Sequence, residues 1–448
     1  MPKTNFLLVG NGAREHAIAQ AICRNKNVAL FAFMSANNPG IVKLSAQSGG
    51  AATIGNICSP LDIADFAVGH KIALAFPSPD AVLAAGVTDA LLAAGIECAS
   101  PTKEASRLEW DKSYARELLR DFKIEGSPKF GIFERVDEAE KFIDSLKGQV
   151  AVKPSGLTGG KGVKVVGYQL KDGAEAKAYA REILAVKHSG LSTIVIEEKL
   201  FGEEFSLQAF SDGNNVYGMP AVQDHKRAYE NDIGPNTGGM GSYSDFDHLL
   251  PFITKKDYDD GLGIMQKTIE AFRKKTKKPF VGILYGGFIV TAHGVKLIEY
   301  NARFGDPETM NVLPILKSDL LEIFTQMAKG KMERAPEFEK KATVCKYMVP
   351  GGYPVKSITD KPLKIDAEKM EKAGAKLFYA SIYEKDGTVY TQSSRSLGVV
   401  GIADSISAAE KISEKGCGAI SGAVWHRKDI GTAALVERRV AHMKELLG

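Results

Sequence analysis

Along the first hundred positions, apolar residues fall into short unbroken runs separated by stretches in which they recur every three or four residues. Phe6–Val9, Val28–Phe33 and Ile72–Phe76 are such runs. They are too short for helices and carry no charge, the pattern of strands covered on both faces. A helix is predicted from Arg14 and another over Val82–Ala94, so strands and helices alternate as in a parallel α/β sheet. Ser100-Pro101-Thr102 interrupts the alternation and marks a boundary. Glu104–Phe122 is predicted helical. A compact α+β unit begins at Lys129–Phe133 and continues as helix Val136–Leu146, strand Val150–Pro154, a glycine-rich loop, strand Val163–Gly167, helix Glu175–Val186 and strand Thr193–Glu198. From Phe201 to Lys331 the pattern predicts antiparallel strands and one long helix, Lys255–Lys274. After Ala342 come strands at Tyr347–Val349 and Leu377–Tyr383, then a turn at Asp386-Gly387.

Length and composition narrow the reading. A chain of 448 residues exceeds what one hydrophobic core supports. The expected division is an N-terminal α/β domain over 1–102, a central domain from 103–123 and 200–332, a lid over 124–199, and a C-terminal α+β domain over 333–448. A net charge of +4 with scattered lysines gives no basic stripe for nucleic acid. The cluster Arg273-Lys274-Lys275 with Lys277-Lys278 reads as a solvated helix end. The five cysteines, Cys23, Cys58, Cys98, Cys345 and Cys417, form no C-x-x-C pair, which points to a reducing cytoplasm rather than a zinc site or disulfide framework. A strand begins within a few residues of Met1, leaving no room for a signal peptide, and no apolar run reaches ~18 residues. The expectation is a cytoplasmic protein with no membrane or nucleic-acid partner.

Five segments carry candidate chemistry. Gly10-Asn11-Gly12-Ala13-Arg14-Glu15-His16 places glycines between a strand and a helix start, where backbone N–H groups and the helix dipole suit a phosphate. Glu15 stands where a dinucleotide fingerprint needs its third glycine, so a lone phosphate fits better than NAD, and a simple tight turn with positive φ at Gly12 is an alternative. Lys153-Pro154-Ser155-Gly156-Leu157-Thr158-Gly159-Gly160-Lys161-Gly162 sets two lysines around four glycines, suited to a polyphosphate but not spaced as a Walker A loop. Glu197-Glu198-Lys199-Leu200 follows a strand as a hinge for an adenine edge, with Glu204 beyond it for ribose hydroxyls; a charged turn is the plainer reading. In Glu299-Tyr300-Asn301-Ala302-Arg303, residues two apart share a strand face, so Glu299 and Asn301 present hard oxygen donors for Mg²⁺ or Mn²⁺. Gln223-Asp224-His225-Lys226-Arg227, before the loop Gly234–Gly241, suits an anionic acyl phosphate or phosphosugar.

The order of lysine with glycine loop, hinge with carboxylate, and Glu-x-Asn strand resembles the ATP-grasp fold. The strings Gly-Asn-Gly-Ala-Arg-Glu-His, Gln-Asp-His-Lys-Arg, Gly-Pro-Asn-Thr-Gly-Gly-Met-Gly and Asn-Ala-Arg-Phe-Gly-Asp-Pro-Glu-Thr resemble the phosphoribosylamine–glycine ligases along nearly the whole chain. The resemblance implies an ATP-grasp core with an N-terminal Rossmann-like α/β domain and a C-terminal α+β domain. It implies ATP, glycine and 5-phosphoribosylamine as substrates, glycyl phosphate as intermediate, and a monomer or weak homo-oligomer. By the same resemblance ATP would meet Lys112, Lys153, Gly156, Gly159, Gly160, Lys161, Gly162, Glu197, Glu198, Leu200 and Glu204. Glu299 and Asn301 would hold the metal. Arg303, Lys226 and Asp306 would act on the reacting groups. Asn11, Gly12, Asp224 and Lys226 would hold phosphoribosylamine, and Asp306 the glycine amino group. Ser78-Pro79-Asp80 departs from the family's usual Gly-Pro-Glu, and Thr158-Gly159 replace two alanines. A carboxylase or formyl transferase of the same fold would lack the Gln-Asp-His-Lys-Arg string. A nucleotide-sensing protein with a degenerate site would lose Glu299, Asn301 or Arg303.

Overall fold

A computed structural model describes residues 3–156, 162–186 and 192–448. The lid residues Gly159, Gly160 and Lys161 lie outside the described residues.

The N-terminal runs form a five-stranded parallel sheet in the order Ala52–Ile54, Val28–Met34, Thr4–Val9, Leu74–Pro77, Glu97–Cys98. The order reverses between Thr4–Val9 and Leu74–Pro77, so a crevice opens beyond their carboxyl ends, where Gly10–Gly12 and Ser78–Asp80 stand. Two helices not anticipated from periodicity, Pro39–Ser48 and Pro60–Gly69, start with proline in the first turn after Asn38 and Ser59. The helix expected over Val82–Ala94 is two, Asp80–Ala85 and Val87–Ala93, because Gly86 takes φ 87° between them. Glu104–Phe122 is likewise two helices, Arg107–Trp110 and Lys112–Asp121. Asp111 breaks them at φ −130° and its carboxylate accepts the Tyr114 N–H, capping the second.

The lid-sized unit is an antiparallel sheet ordered Phe130–Phe133, Ile194–Glu198, Val150–Pro154, Lys164–Val165. Helices Val136–Ser145 and Gly173–Leu184 cover it and close a small core of its own, including Ile143, Val152, Ala180 and Ile196. The central sheet runs Val216–Gly218, Glu203–Asp212, Val281–Thr291, Gly294–Asn301, all antiparallel. The long helix Lys255–Thr276, with its Thr254–Asp257 capping box, packs on it, and Arg273-Lys274-Lys275 fill its last turn.

A further sheet crosses the boundary expected at 332/333. Gln223–Asp224 pairs with Gly241–Ser244, which pairs with Ala342–Pro350, and the sheet continues through Leu397–Ala403 to Lys376–Tyr379. The C-terminal segment thereby shares a sheet with the strand that carries Asp224, with Gly241–Ser244 between them. The strand expected over Leu377–Tyr383 divides between two sheets, Lys376–Tyr379 in this one and Ile382–Lys385 in another. No helix of the described residues is long and apolar enough to cross a membrane.

Candidate active site

A cavity of about 540 Å³ lies between the lid sheet, the central sheet and the sheet that carries Asp224. Of the residues singled out from sequence, Lys112, Lys153, Glu197, Glu198, Leu200, Glu204, Asp224, Lys226, Glu299, Asn301, Arg303 and Asp306 all line it. Of the N-terminal crevice, Asp80 reaches its wall.

At the hinge end the buried charges answer one another. The Glu197 side chain is only 4% exposed; its carboxylate takes the Arg116 guanidinium at 2.6 Å and the Lys153 ammonium at 2.8 Å. Burial favours its neutral form, but these two cations hold its pKa below the ordinary carboxylate value. Lys153 also donates to the Ile298 carbonyl at 2.8 Å, and Arg116 to those of Leu297 and Ile298. The strands Val150–Pro154 and Ile194–Glu198, the helix Lys112–Asp121 and the strand Gly294–Asn301 are thus pinned at one point. The Glu198 carboxylate accepts the Lys129 N–H at 2.7 Å. Both hinge carboxylates are structural, so an adenine edge would find backbone groups here. Lys112 donates to the Gly156 carbonyl at 3.3 Å; burial lowers its pKa, opposed by Glu299. Gly162 accepts from the Tyr179 hydroxyl at 2.8 Å.

At the inner end the charges are only partly answered. Glu299 and Asn301 share one face of their strand, while Tyr300 turns the other way and bonds Thr268 at 2.7 Å. The Glu299 carboxylate takes no hydrogen bond from a described residue. Burial would raise its pKa, yet Lys226, Lys112, Lys153 and Arg303 hold it low. Among the described residues no three His, Cys, Asp or Glu side chains gather as a metal cluster. A free carboxylate beside one amide oxygen nevertheless suits a hard divalent cation whose remaining ligands are phosphate and water. Arg303 donates to Asn301 Oδ1 at 3.2 Å and meets the buried Glu109 carboxylate at 3.0 Å. Burial opposes its charge, but Glu109, Asp80 and Glu308 keep it protonated. Lys226 is held charged against burial by Glu204, Glu299, Asp224 and Glu308.

Three features stand apart from the sequence reading. Asp306 is already occupied: Tyr347 donates to it at 2.5 Å and Arg395 lies at 3.2 Å. Gly12 has φ −80°, not a positive φ; the left-handed turn falls on Gly10 at 122°. The Gly12 N–H, the first donor of the helix start, is taken by Glu15 Oε2 at 2.7 Å, and Ser78 donates to Glu15 Oε1 at 2.6 Å. Asn11 accepts from the Ser35 N–H at 3.1 Å and its hydroxyl at 2.8 Å. The turn is therefore a braced corner of the crevice, with Asp80 rather than Asn11 or Gly12 at the cavity wall. His225 is 2% exposed, its ring nitrogens have no partner among the described residues, and burial with Arg427 and Arg439 lowers its pKa to about 3.

Glu109, Tyr285, Glu308, Arg395 and Arg439 belong to this site or its wall, and sequence assigned none of them a role. Glu109 left the weakest signal, one of five carboxylates inside the helix expected over Glu104–Phe122. The break at Asp111 separates its short helix from the next, and the Ala302 N–H donates to it at 2.8 Å.

With the geometry in place, family models for phosphoribosylglycinamide synthetase match in chain order: the N domain over residues 4–109, the ATP-grasp (A) domain over 110–309 and the C domain over 343–433. A phosphoribosylamine–glycine ligase of Methanobrevibacter smithii is 48% identical over 441 residues, covering 98% of this chain and 99% of that one. The crystal structure of phosphoribosylamine–glycine ligase from Thermotoga maritima superposes with a TM-score of 0.79 at 23% identity, over 95% of this chain and 100% of that chain. A biotin carboxylase from Campylobacter jejuni superposes at 0.70 with 13% identity, over 98% of this chain and 95% of that chain. Both likenesses to solved structures are of fold alone. The chain belongs to the phosphoribosylglycinamide synthetase family, the phosphoribosylamine–glycine ligases.

Proposed function

We propose that this chain is the carbon–nitrogen ligase that joins glycine to 5-phosphoribosylamine, giving glycinamide ribonucleotide, ADP and phosphate through glycyl phosphate. The observation that carries this reading is the inner end of the cavity. Glu299 and Asn301 stand beside Arg303 and Lys226, and the same cavity continues to the hinge on one side and Asp80 on the other.

An amide does not form from a carboxylate in water without activation, so the γ-phosphoryl group is moved onto a glycine oxygen to make a leaving group. That transfer needs positioning and cancellation of charge more than a protein nucleophile. Adenine would lie against the hinge backbone from Glu197 to Leu200, and ribose hydroxyls at Glu204. Lys112 and Lys153 would face the phosphates, with Gly156, Gly159, Gly160, Lys161 and Gly162 closing over them and keeping water from the acyl phosphate. Glu299 and Asn301 would hold Mg²⁺ or Mn²⁺, which supplies charge neutralisation across the phosphates. Arg303, fixed by Glu109, would meet the transferring phosphoryl group, and Lys226 the acyl oxygen. Asn11, Gly12 and Asp80 would bound the crevice for the sugar phosphate. The incoming amine is its own nucleophile, so no side-chain base is required.

Phosphate release measured with ATP, glycine and freshly generated phosphoribosylamine, omitting each in turn, tests the reading. The expected result is ADP and phosphate formed only when all three are present. Release of AMP and pyrophosphate would rule out an acyl phosphate route.

A further inference from the structure

We infer that Arg439 and His442 of the C-terminal helix Ala433–Leu447 are positioning residues for the nucleotide: through Glu203 they set the place of Glu204, the carboxylate read as the ribose anchor. The inference rests on the proposed placement of ATP in this cavity and adds to it two residues from the far end of the chain. The helix starts after Thr432, whose hydroxyl accepts the Leu435 N–H, and it buries Leu435 and Met443. Arg439 and His442, three residues apart on one helix face, reach the cavity wall instead.

Both converge on Glu203. Its carboxylate accepts from His442 Nδ1 at 2.6 Å and from Gln223 Nε2 at 3.4 Å. Arg439 Nε lies 3.5 Å from it, an ion pair without a hydrogen bond. Burial opposes the Arg439 charge, but Glu203 and Asp232 keep it protonated. Glu203 is 5% exposed and opens the strand Glu203–Asp212 just beyond the hinge. The chain enters that strand through Gly202 at φ 154°, where a Cβ would stand 1.8 Å from the Val290 carbonyl oxygen. Neighbours along a strand turn to opposite faces, so Glu204 is turned toward Lys226, 3.6 Å away. Gln223 couples the two positions, since its amide also donates to the Glu204 carbonyl at 3.1 Å.

Arg439 bonds Asp232 as well, which Arg427 meets at 2.8 Å. Asp232 ends the turn Glu230–Asp232 of the hairpin that Arg227–Tyr229 and Ile233–Asn236 form directly after Lys226. At the end of that hairpin, Asn236 Oδ1 accepts from Gln169 of the lid-sized unit at 3.1 Å. One guanidinium thus ties the strand start that carries Glu204 to the hairpin that follows Lys226. Without it, Glu203 is a buried carboxylate with one counter-charge fewer at the first residue of a strand. The least costly response is for that carboxylate to turn to water and draw the strand start with it. Glu204 is then displaced while the rest of the central sheet keeps its ladder.

The test compares ATP with 2′,3′-dideoxy-ATP in steady-state ADP formation by wild type, Glu204→Gln, Arg439→Ala, His442→Ala, His442→Asn and Arg438→Ala. A ratio of two kcat/KM values does not depend on how much of a variant is folded, so it separates recognition of the ribose hydroxyls from stability. Glu204→Gln is expected to lower the preference for ATP about 10–100-fold. Arg439→Ala and His442→Ala should each lower it about tenfold, through the ATP KM and with the glycine KM within about twofold. His442→Asn keeps a donor near the Nδ1 position and should restore most of the preference. Arg438→Ala, whose guanidinium meets Asn231 and Asp429 instead, should prefer ATP as the wild type does. A preference unchanged in Arg439→Ala and His442→Ala while Glu204→Gln loses it would overturn the inference and leave Glu204 at the ribose. A preference unchanged in Glu204→Gln would overturn both. ADP formation by the wild type without glycine and phosphoribosylamine would count against the functional reading alone.

Discussion

The two ends of the cavity use buried charge in opposite ways. At the hinge, Glu197, Arg116 and Lys153 close on one another, and their spare donors end on the carbonyls of Leu297 and Ile298. At the inner end Glu299, Asp224 and Glu308 have no ion-pair partner among the described residues, although Lys226 and Arg303 stand near them. A closed set of charges holds architecture, and removing one member strands the others. An open set is incomplete until ligands arrive, so removing a member costs binding or catalysis and little of the fold.

The largest effect expected from this contrast is on stability. Glu197→Ala leaves Arg116 and Lys153 buried without a counter-charge and should cost about 3–5 kcal/mol, read as a lower midpoint in thermal or denaturant unfolding. The contrast breaks if that variant unfolds with the wild type. Next, Glu299→Gln should lower kcat by about 10²–10³ at saturating metal while changing the unfolding midpoint far less than Glu197→Ala. Wild-type turnover at limiting Mg²⁺ would remove Glu299 from the metal site.

A third expectation uses a group outside the cavity as reference. His16 accepts the Tyr379 N–H at 3.0 Å, joining the N-terminal and C-terminal segments, and burial lowers its pKa from 6.5 to about 4. Between those values the unfolded chain binds a proton that the folded chain does not. The stability is therefore complete above about pH 6.5 and declines as pH falls toward 4, by about 3 kcal/mol from this residue. His225 acts in the same direction. Unfolding followed from pH 7 to pH 4 should show the decline, and His16→Asn should flatten part of it. The smallest effect concerns the break between the helices Arg107–Trp110 and Lys112–Asp121. Asp111→Ala removes the cap on Lys112–Asp121 and should cost about 1 kcal/mol, with ATP KM rising because Lys112 starts that helix. An unchanged ATP KM would detach Lys112 from the nucleotide.

Local pattern and tertiary packing divided the decisions about this protein cleanly. Thr4–Val9 and Lys255–Thr276 were legible because a buried strand and an amphipathic helix each impose a period on the chain. The Glu-x-Asn-x-Arg face at Glu299–Arg303 was legible because alternation along a strand is local geometry. Periodicity alone did not show the breaks at Gly86 and Asp111, nor the division of Leu377–Tyr383 between two sheets. A single residue's φ, or a new hydrogen-bonding partner, changes neither the hydrophobic count nor its spacing. The short strand Gln223–Asp224 has too few residues to carry any period.

Sequence by itself determined which side chains are available and, through glycine and proline, where the chain can turn. Only the folded structure decided which charges are already spent. Glu197 reads the same as Glu299 in the sequence, and Asp306 the same as Asp224. What distinguishes them are Arg116, Lys153, Arg395 and Tyr347, brought in from distant positions. Whether a buried carboxylate is structural or open to a ligand depends on counter-charges a few ångströms away in space, and that proximity is a property of packing rather than of local sequence.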